Sequence, residues 1–168
     1  MLGKKNYTIV DEGSHASMHI KHKGSIVCCL IDNEDVGRVS SLSWHATKAG
    51  YVCHTYRVGR RISSTRLHNF IMNTPNEIDH INRNKLDCRK LNLRICNKSQ
   101  NQWNRNVDNR SVSGVKGVRL IRQTGKWDAR FNANRKIILV GRFDDKESAI
   151  HAIRDARISY HGEFSCHG

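Results

Sequence analysis

The chain has 168 residues, 38% of them apolar, with 29 Lys and Arg against 15 Asp and Glu, a formal net charge of +14. That length holds one domain or two small ones, and the charge favours a polyanionic partner, because neutralising phosphates releases counterions whatever the base sequence. No apolar run approaches the roughly 18 residues of a membrane span, and no basic amphipathic helix is visible, so a membrane partner is set aside. The charge is uneven: residues 1–56 carry six basic and five acidic residues, residues 57–110 twelve and four, and residues 111–168 eleven and six. A phosphate-facing surface is therefore expected in the middle and at the end. None of the six cysteines forms a C-x-x-C pair, which argues against structural zinc. Residues 1–6 are polar and no apolar leader core follows, so reduced thiols in a cytoplasm are the expectation.

Residues 1–66 read as short strands. The clearest are 19–21 and 25–31, bounded by Gly13, Gly24 and an acidic turn at 32–35, followed by a hairpin of 51–56 and 61–67 around Val58-Gly59-Arg60. His15, His19 and His22 have the spacing of metal ligands, but a strand would not put all three on one face. Trp44 is read as a core aromatic beside a surface His45. Residues 67–72 form one short helix with Leu67, Phe70 and Ile71 inward, and residues 73–76, which hold the single proline, end it. His68 is either the satisfied edge of that helix or a group supporting the site that follows.

Residues 77–81 read as a strand ending in Asp79-His80, residues 82–90 as a basic loop, and Leu91, Leu93 and Ile95 as the inward face of a second strand. Ser99 is placed to cap a helix through Asn101, Gln102 and Trp103. Strand, loop, strand and helix can bring polar groups to one point. Phosphodiester hydrolysis needs an activated water, a base and positive charge on the developing phosphorane oxygens. A hard ion takes oxygen ligands and keeps several waters, so Asp79 and Asn101 suffice as protein ligands for Mg²⁺, or Mn²⁺. His80 suits a general base, Asn92 orients it or braces the loop, and Arg83, Lys85, Arg89 and Arg94 are candidate phosphate clamps.

Residues 67–104 resemble the HNH nuclease motif, the ββα-metal site, in the variant of phage homing endonucleases, where the last His is often Asn. The matching residues are Leu67-His68, Ile78-Asp79-His80-Ile81-Asn82, Asp87, Asn92-Leu93-Arg94 and Ser99-Gln100-Asn101-Gln102. The resemblance implies His80 as general base, Asp79 and Asn101 as metal ligands and Asn92 as the residue that positions the loop. Asn101 in place of His favours an oxygen-loving ion over zinc. Cys88 stands where Asn is common, and Asn82-Arg83-Asn84 replaces a Gly-bearing turn.

After a polar linker at 106–112, three strands are expected at 115–122, 127–132 and 136–143. A helix to about Tyr160 follows, capped by Asp144, with Ala149, Ile153, Ala156 and Tyr160 on one stripe. Alternation puts Trp127 in the core, and Arg119, Arg122, Arg130 and Asn132 on an exposed face that can enter a DNA groove. Residues 113–164 are similar to the plant ethylene-response-factor (APETALA-two) DNA-binding domain at Gly117-Val118-Arg119, Gly125-Lys126-Trp127, Gly141 with Phe143, and His161-Gly162-Glu163-Phe164. In phage proteins this module commonly follows an HNH nuclease.

The expected architecture is α+β. A β-rich lead over 1–66 and a ββα-metal core over 67–105 form a nuclease domain, followed by the linker and, over 113–168, a three-stranded antiparallel sheet packed on one helix. The expected function is a metal-dependent homing-type endonuclease that nicks double-stranded DNA, acting as a monomer or weak homodimer without a small-molecule cofactor. The alternative is a non-catalytic DNA-binding regulatory or recombination accessory protein that retains the HNH scaffold.

Overall fold

The computed structural model describes residues 5–105, 111–133 and 136–166. It is a mixed α and β structure of small antiparallel sheets and few helices, divided into two units, Met1–Cys96 and Asn97–Gly168. The helix that follows the second strand of the motif thus falls in the second unit, whereas the sequence put it in the first. Of the expected linker, residues 106–110 lie outside the described residues. No helix among the described residues is long and apolar enough to cross a membrane.

In the first unit, β1 (Tyr7–Asp11), β2 (Ala16–His22) and β3 (Ser25–Ile31) form a meander. Lys23 and Gly24, both at positive φ, make the tight β2–β3 turn that right-twisted strands favour. Ala16, Met18 and Ile20 of β2 and Cys29 and Ile31 of β3 are buried, as a one-sided sheet requires. After α1 (Val36–Ser40), the strands β4 (His45–Ala46), β5 (Val52–Val58) and β6 (Arg61–Arg66) form a second sheet, and α2 (Leu67–Ile71) follows at once. Trp44 joins these layers: it is 2% exposed, its indole N–H donates to the Val39 carbonyl at 2.8 Å, and its ring meets Phe70 edge-on. The last pair is β7 (Glu77–His80) with β8 (Leu93–Cys96), in register Asp79↔Arg94 and His80↔Leu93. Leu91 and Ile95 do not face inward as alternation suggested. Leu91 sits in a 3-10 turn and is 94% exposed, Ile95 is 52% exposed, and Asn92 and Leu93 are the buried pair.

The second unit opens with α3 (Lys98–Trp103), capped by Asn97 and not by Ser99. The Asn97 side chain accepts from the Gln100 N–H at 2.9 Å while Gln100 returns a bond to the Asn97 N–H at 2.8 Å. At its other end, the Lys116 ammonium donates to the carbonyls of Gln102, Trp103 and Arg105 at 2.9–3.1 Å, and burial pushes its pKa down to about 8. The Trp103 ring stacks on His161 at 4.1 Å. Strands β9 (Val118–Ile121), β10 (Lys126–Ala133) and β11 (Lys136–Phe143) make an antiparallel sheet with β10 central, covered by α4 (Lys146–His161). The cap of α4 is Asp145, one residue beyond the expected Asp144, accepting from the Ser148 N–H. Its buried stripe is Ala149, Ile150, Ile153, Arg157 and His161, so Tyr160, 43% exposed, lies off it. Trp127 packs on the core of this unit.

Gly117 has φ +90, and a Cβ there would lie 2.4 Å from the Arg130 carbonyl oxygen, in the place where the Gly117 carbonyl accepts from the Arg130 N–H at 2.8 Å. Gly125 also has a positive φ, but nothing lies within 4 Å of its added Cβ. Gly125→Ala should therefore cost only the ~1 kcal/mol of left-handed backbone, and Gly117→Ala clearly more. Thermal unfolding of the two variants would test this, and equal losses would contradict it.

Candidate active site and nucleic-acid interface

Residues 81–92 leave β7 and return to β8 as a closed loop. The Asn92 carbonyl accepts from the Ile81 N–H at 2.9 Å. Its side-chain oxygen accepts from the Asn82 N–H at 2.9 Å, and its amide donates to the Asp87 carbonyl at 2.8 Å. Asp87, 2% exposed, receives a two-pronged contact from Arg89 at 2.8 Å on each oxygen and a bond from the Asn82 amide at 2.9 Å. The Arg89 guanidinium outweighs burial and holds this carboxyl below its usual range. The loop is also sewn to β3, since Leu30 bonds both Leu86 and Cys88 through the backbone, and the Lys90 N–H donates to Asp32 at 2.7 Å.

Within this frame Asp79 and His80 are each 5% exposed. Asp79 Oδ2 accepts from Arg94 Nη2 at 2.7 Å and Nε at 2.9 Å, an ion pair set by the β7–β8 register. Arg94 is thus engaged by a carboxylate, as is Arg89. Arg83 and Lys85 are exposed on the loop, with Lys85 bonded to the Ala49 carbonyl at 2.9 Å and lying over the Tyr51 ring. Burial lowers the pKa of His80, opposed by the charges of Asp79 and Asp87, which favours the neutral ring. His68, also buried, faces it with ring centroids 4.9 Å apart. Burial, then the His80 and Arg66 charges, push His68 down to about 3. Of the two readings of His68, an edge of α2 or a group against the site, the position beside His80 fits the second.

Asn101 lies on α3, in the second unit. In that unit Arg122 and Asn132 are exposed. Asp128, between the expected core residue Trp127 and Ala129 on β10, has no exposed surface, because Arg119 (3.1 Å), Arg130 and, at 3.7 Å, Arg142 close over it. Burial alone would raise its pKa, but hydrogen bonds from Arg130 and Arg119 bring it below the ordinary value. His15, His19 and His22 form no metal-ligating group among the described residues.

Residues 74–103 match the HNH endonuclease family. The chain is also similar to an uncharacterised HNH endonuclease of Acanthamoeba polyphaga mimivirus, 30% identical over an alignment of 124 residues that covers 69% of this chain and 60% of the relative. The chain therefore spans about 60% of the length of the curated relative it matches. No solved structure matches.

The HNH-matched segment contains β7, the loop and β8, and it includes one residue whose setting the sequence did not signal. Cys88 is 1% exposed, and its Sγ lies 4.0 Å from His80 Nε2. A hydrogen bond with Cys29, together with burial, pushes its pKa well up. Nothing in the spacing of isolated cysteines flags such a contact, since it depends on β3 holding the loop. Asn92 holds the backbone of that loop through its side chain and its carbonyl. Asn92→Ala removes the partner of the part-buried Asn82 N–H and of the buried Asp87 carbonyl and should cost ~1–3 kcal/mol. Urea denaturation should show a lowered midpoint, and an unchanged midpoint would remove Asn92 from this role.

Proposed function

We propose that the chain is a metal-dependent DNA endonuclease of the homing type, with its hydrolytic site at His80 and a second unit that reads DNA as ethylene-response-factor-like domains do. The observation that carries the reading is Asp79-His80 at the end of a strand whose following loop is tied shut by Asn92, in a segment matching HNH endonucleases. A neutral, buried His80 is suited to accept the proton of the attacking water. Arg94 orients Asp79 through its two hydrogen bonds.

The donors proposed for a metal fit a hard ion: the Asp79 carboxylate and the Asn101 amide oxygen are the ligand types that Mg²⁺ or Mn²⁺ takes alongside water. A divalent cation at Asp79 would supply charge at the leaving 3′ oxygen. Exposed Arg83 and Lys85 contact phosphates beside the site, and Arg122 and Asn132 contact DNA from the second unit. Arg119 and Arg130 join them by exchanging part of their hold on Asp128 for phosphate or base edges. One such centre per chain nicks one strand, leaving 5′-phosphate and 3′-hydroxyl ends.

The ion pair of Asp79 with Arg94 and the low exposure of His80 favour a second reading, a DNA-binding protein that retains the scaffold without cleavage. Incubating supercoiled plasmid, host DNA or phage DNA with the protein and Mg²⁺, Mn²⁺ or EDTA separates the two. The nuclease reading expects metal-dependent nicking that falls by about 10²-fold or more in His80→Ala while DNA binding persists. Binding without cutting by the wild type, or a 3′-phosphate product, favours the second reading or another mechanism.

A further inference from the structure

The interior of the first unit brings together three side chains that the proposed hydrolysis does not require as a set. One nitrogen of His68, one of His80 and the thiol of Cys88 all lie within 4.8 Å of one another, and all three residues are buried. They arrive from three places: the first turn of α2, the end of β7, and the loop that β3 holds by the Cys88 N–H to Leu30 carbonyl bond at 2.9 Å. We propose that His68, His80 and Cys88 form a binding site for a thiophilic divalent cation, Zn²⁺ in the first instance, whose occupation turns the proposed nuclease off.

The donor chemistry selects the ion. Two imidazoles and a thiolate suit zinc and its neighbours among the transition metals, and they are poor ligands for Mg²⁺. A tetrahedral ion with bonds of about 2.0–2.3 Å needs donors roughly 3.3–3.8 Å apart. His80 Nε2 and Cys88 Sγ, at 4.0 Å, need to close by only a few tenths of an ångström. The ligands stand on ordered elements, with Cys88 fixed by β3 and His80 by its pairing with Leu93. Binding releases the thiol proton to solvent, because a coordinated thiol is deprotonated, and leaves the fourth position to water or a phosphate oxygen.

Inhibition follows from the imidazole itself. A neutral ring has one lone pair in its plane and one N–H. If zinc takes the lone pair of His80 at either nitrogen, the other nitrogen carries the proton, and the ring can no longer accept one from water. This consequence rests on the nuclease reading, whereas the binding site does not. Its donors also differ from the oxygen donors proposed for the hydrolytic metal, so Mg²⁺ and zinc are expected to have opposite effects.

Cobalt reports the site without any activity. The full-length protein, kept reduced, would be titrated with Co²⁺ and then with Zn²⁺. A thiolate-to-cobalt charge-transfer band with tetrahedral d–d bands is expected in the wild type and in Cys28→Ser. Zn²⁺ should bleach them, and Cys88→Ser should lack them. Absence of the bands in the wild type, or their persistence in Cys88→Ser, overturns the site. Should Cys88→Ser not fold, His68→Gln decides in its place, with cobalt affinity expected to fall about tenfold or more and an unchanged affinity counting against the site. Nicking in Mg²⁺ would then be compared with and without stoichiometric Zn²⁺ within each protein. The wild type should lose about tenfold or more and Cys88→Ser distinctly less. Equal loss in both overturns the regulatory role. If no Mg²⁺-dependent nicking exists at all, the nuclease reading fails, and the cobalt titration still decides the site.

Discussion

Both polar atoms of the Asn92 side chain bind backbone, one at Asn82 and one at Asp87, and its own carbonyl takes the Ile81 N–H. Much of the first unit's functional geometry depends on that closure. A loop between two strands pays conformational entropy for every residue it fixes, and a polar, basic loop has little apolar surface to offset that. The loop is ordered instead by satisfied buried polar groups: Asn92 at its ends, Asp87 with Arg89 and Asn82 in its middle, and Leu30 of β3 along one side. Such networks are strong when complete and costly when one member is missing. His80 therefore has a fixed neighbourhood although it borders a segment without regular secondary structure.

The net charge of +14 gives an incomplete picture of the electrostatics. Arg89, Arg94, Arg119 and Arg130 each have a carboxylate partner, and the three acids involved, Asp79, Asp87 and Asp128, are all buried. Acids in this chain thus do more than dilute the positive charge, because they fix the planes of guanidinium groups near surfaces expected to meet phosphate. An arginine held by a carboxylate is pre-oriented and loses less side-chain entropy on binding than one on a flexible stem. It must also share its donors, so its strength toward phosphate depends on how far the acid lets go.

Legibility from the sequence varied with the range of the interactions. Strands β3, β5 and β11 stood out because their β-branched runs are bounded by turn residues, and α4 because its apolar period is helical. The ordered set of Asp79, His80 and Asn92 was visible because it is local. Caps were displaced by one or two residues, to Asn97 and Asp145, since several adjacent side chains qualify and geometry chooses among them. Exposure of Leu91 was hidden because it sits in a 3-10 turn before β8, and that of Ile95 because this short strand buries its two ends, Leu93 and Cys96, and not alternate residues. Burial of Asp128 was hidden because it depends on arginines from three strands. His68 near the site was one of two readings the sequence offered, and the contact of Cys88 with His80 could not be read at all, since it joins segments that only the tertiary fold brings together.

The Lys116 ammonium that closes the carboxyl end of α3, and the His161 ring under Trp103, determine where this chain can be divided. A cut in the polar stretch after residue 105 looks harmless in the sequence. It would strip α3 of the three hydrogen bonds at its end and expose one face of an indole, leaving a six-residue helix too short to persist alone. The natural seam is instead just before Asn97, where the capping box begins. For anyone recombining such modules, the helix bearing Asn101 is inherited with the C-terminal unit, so exchanging that unit would exchange a proposed metal ligand as well.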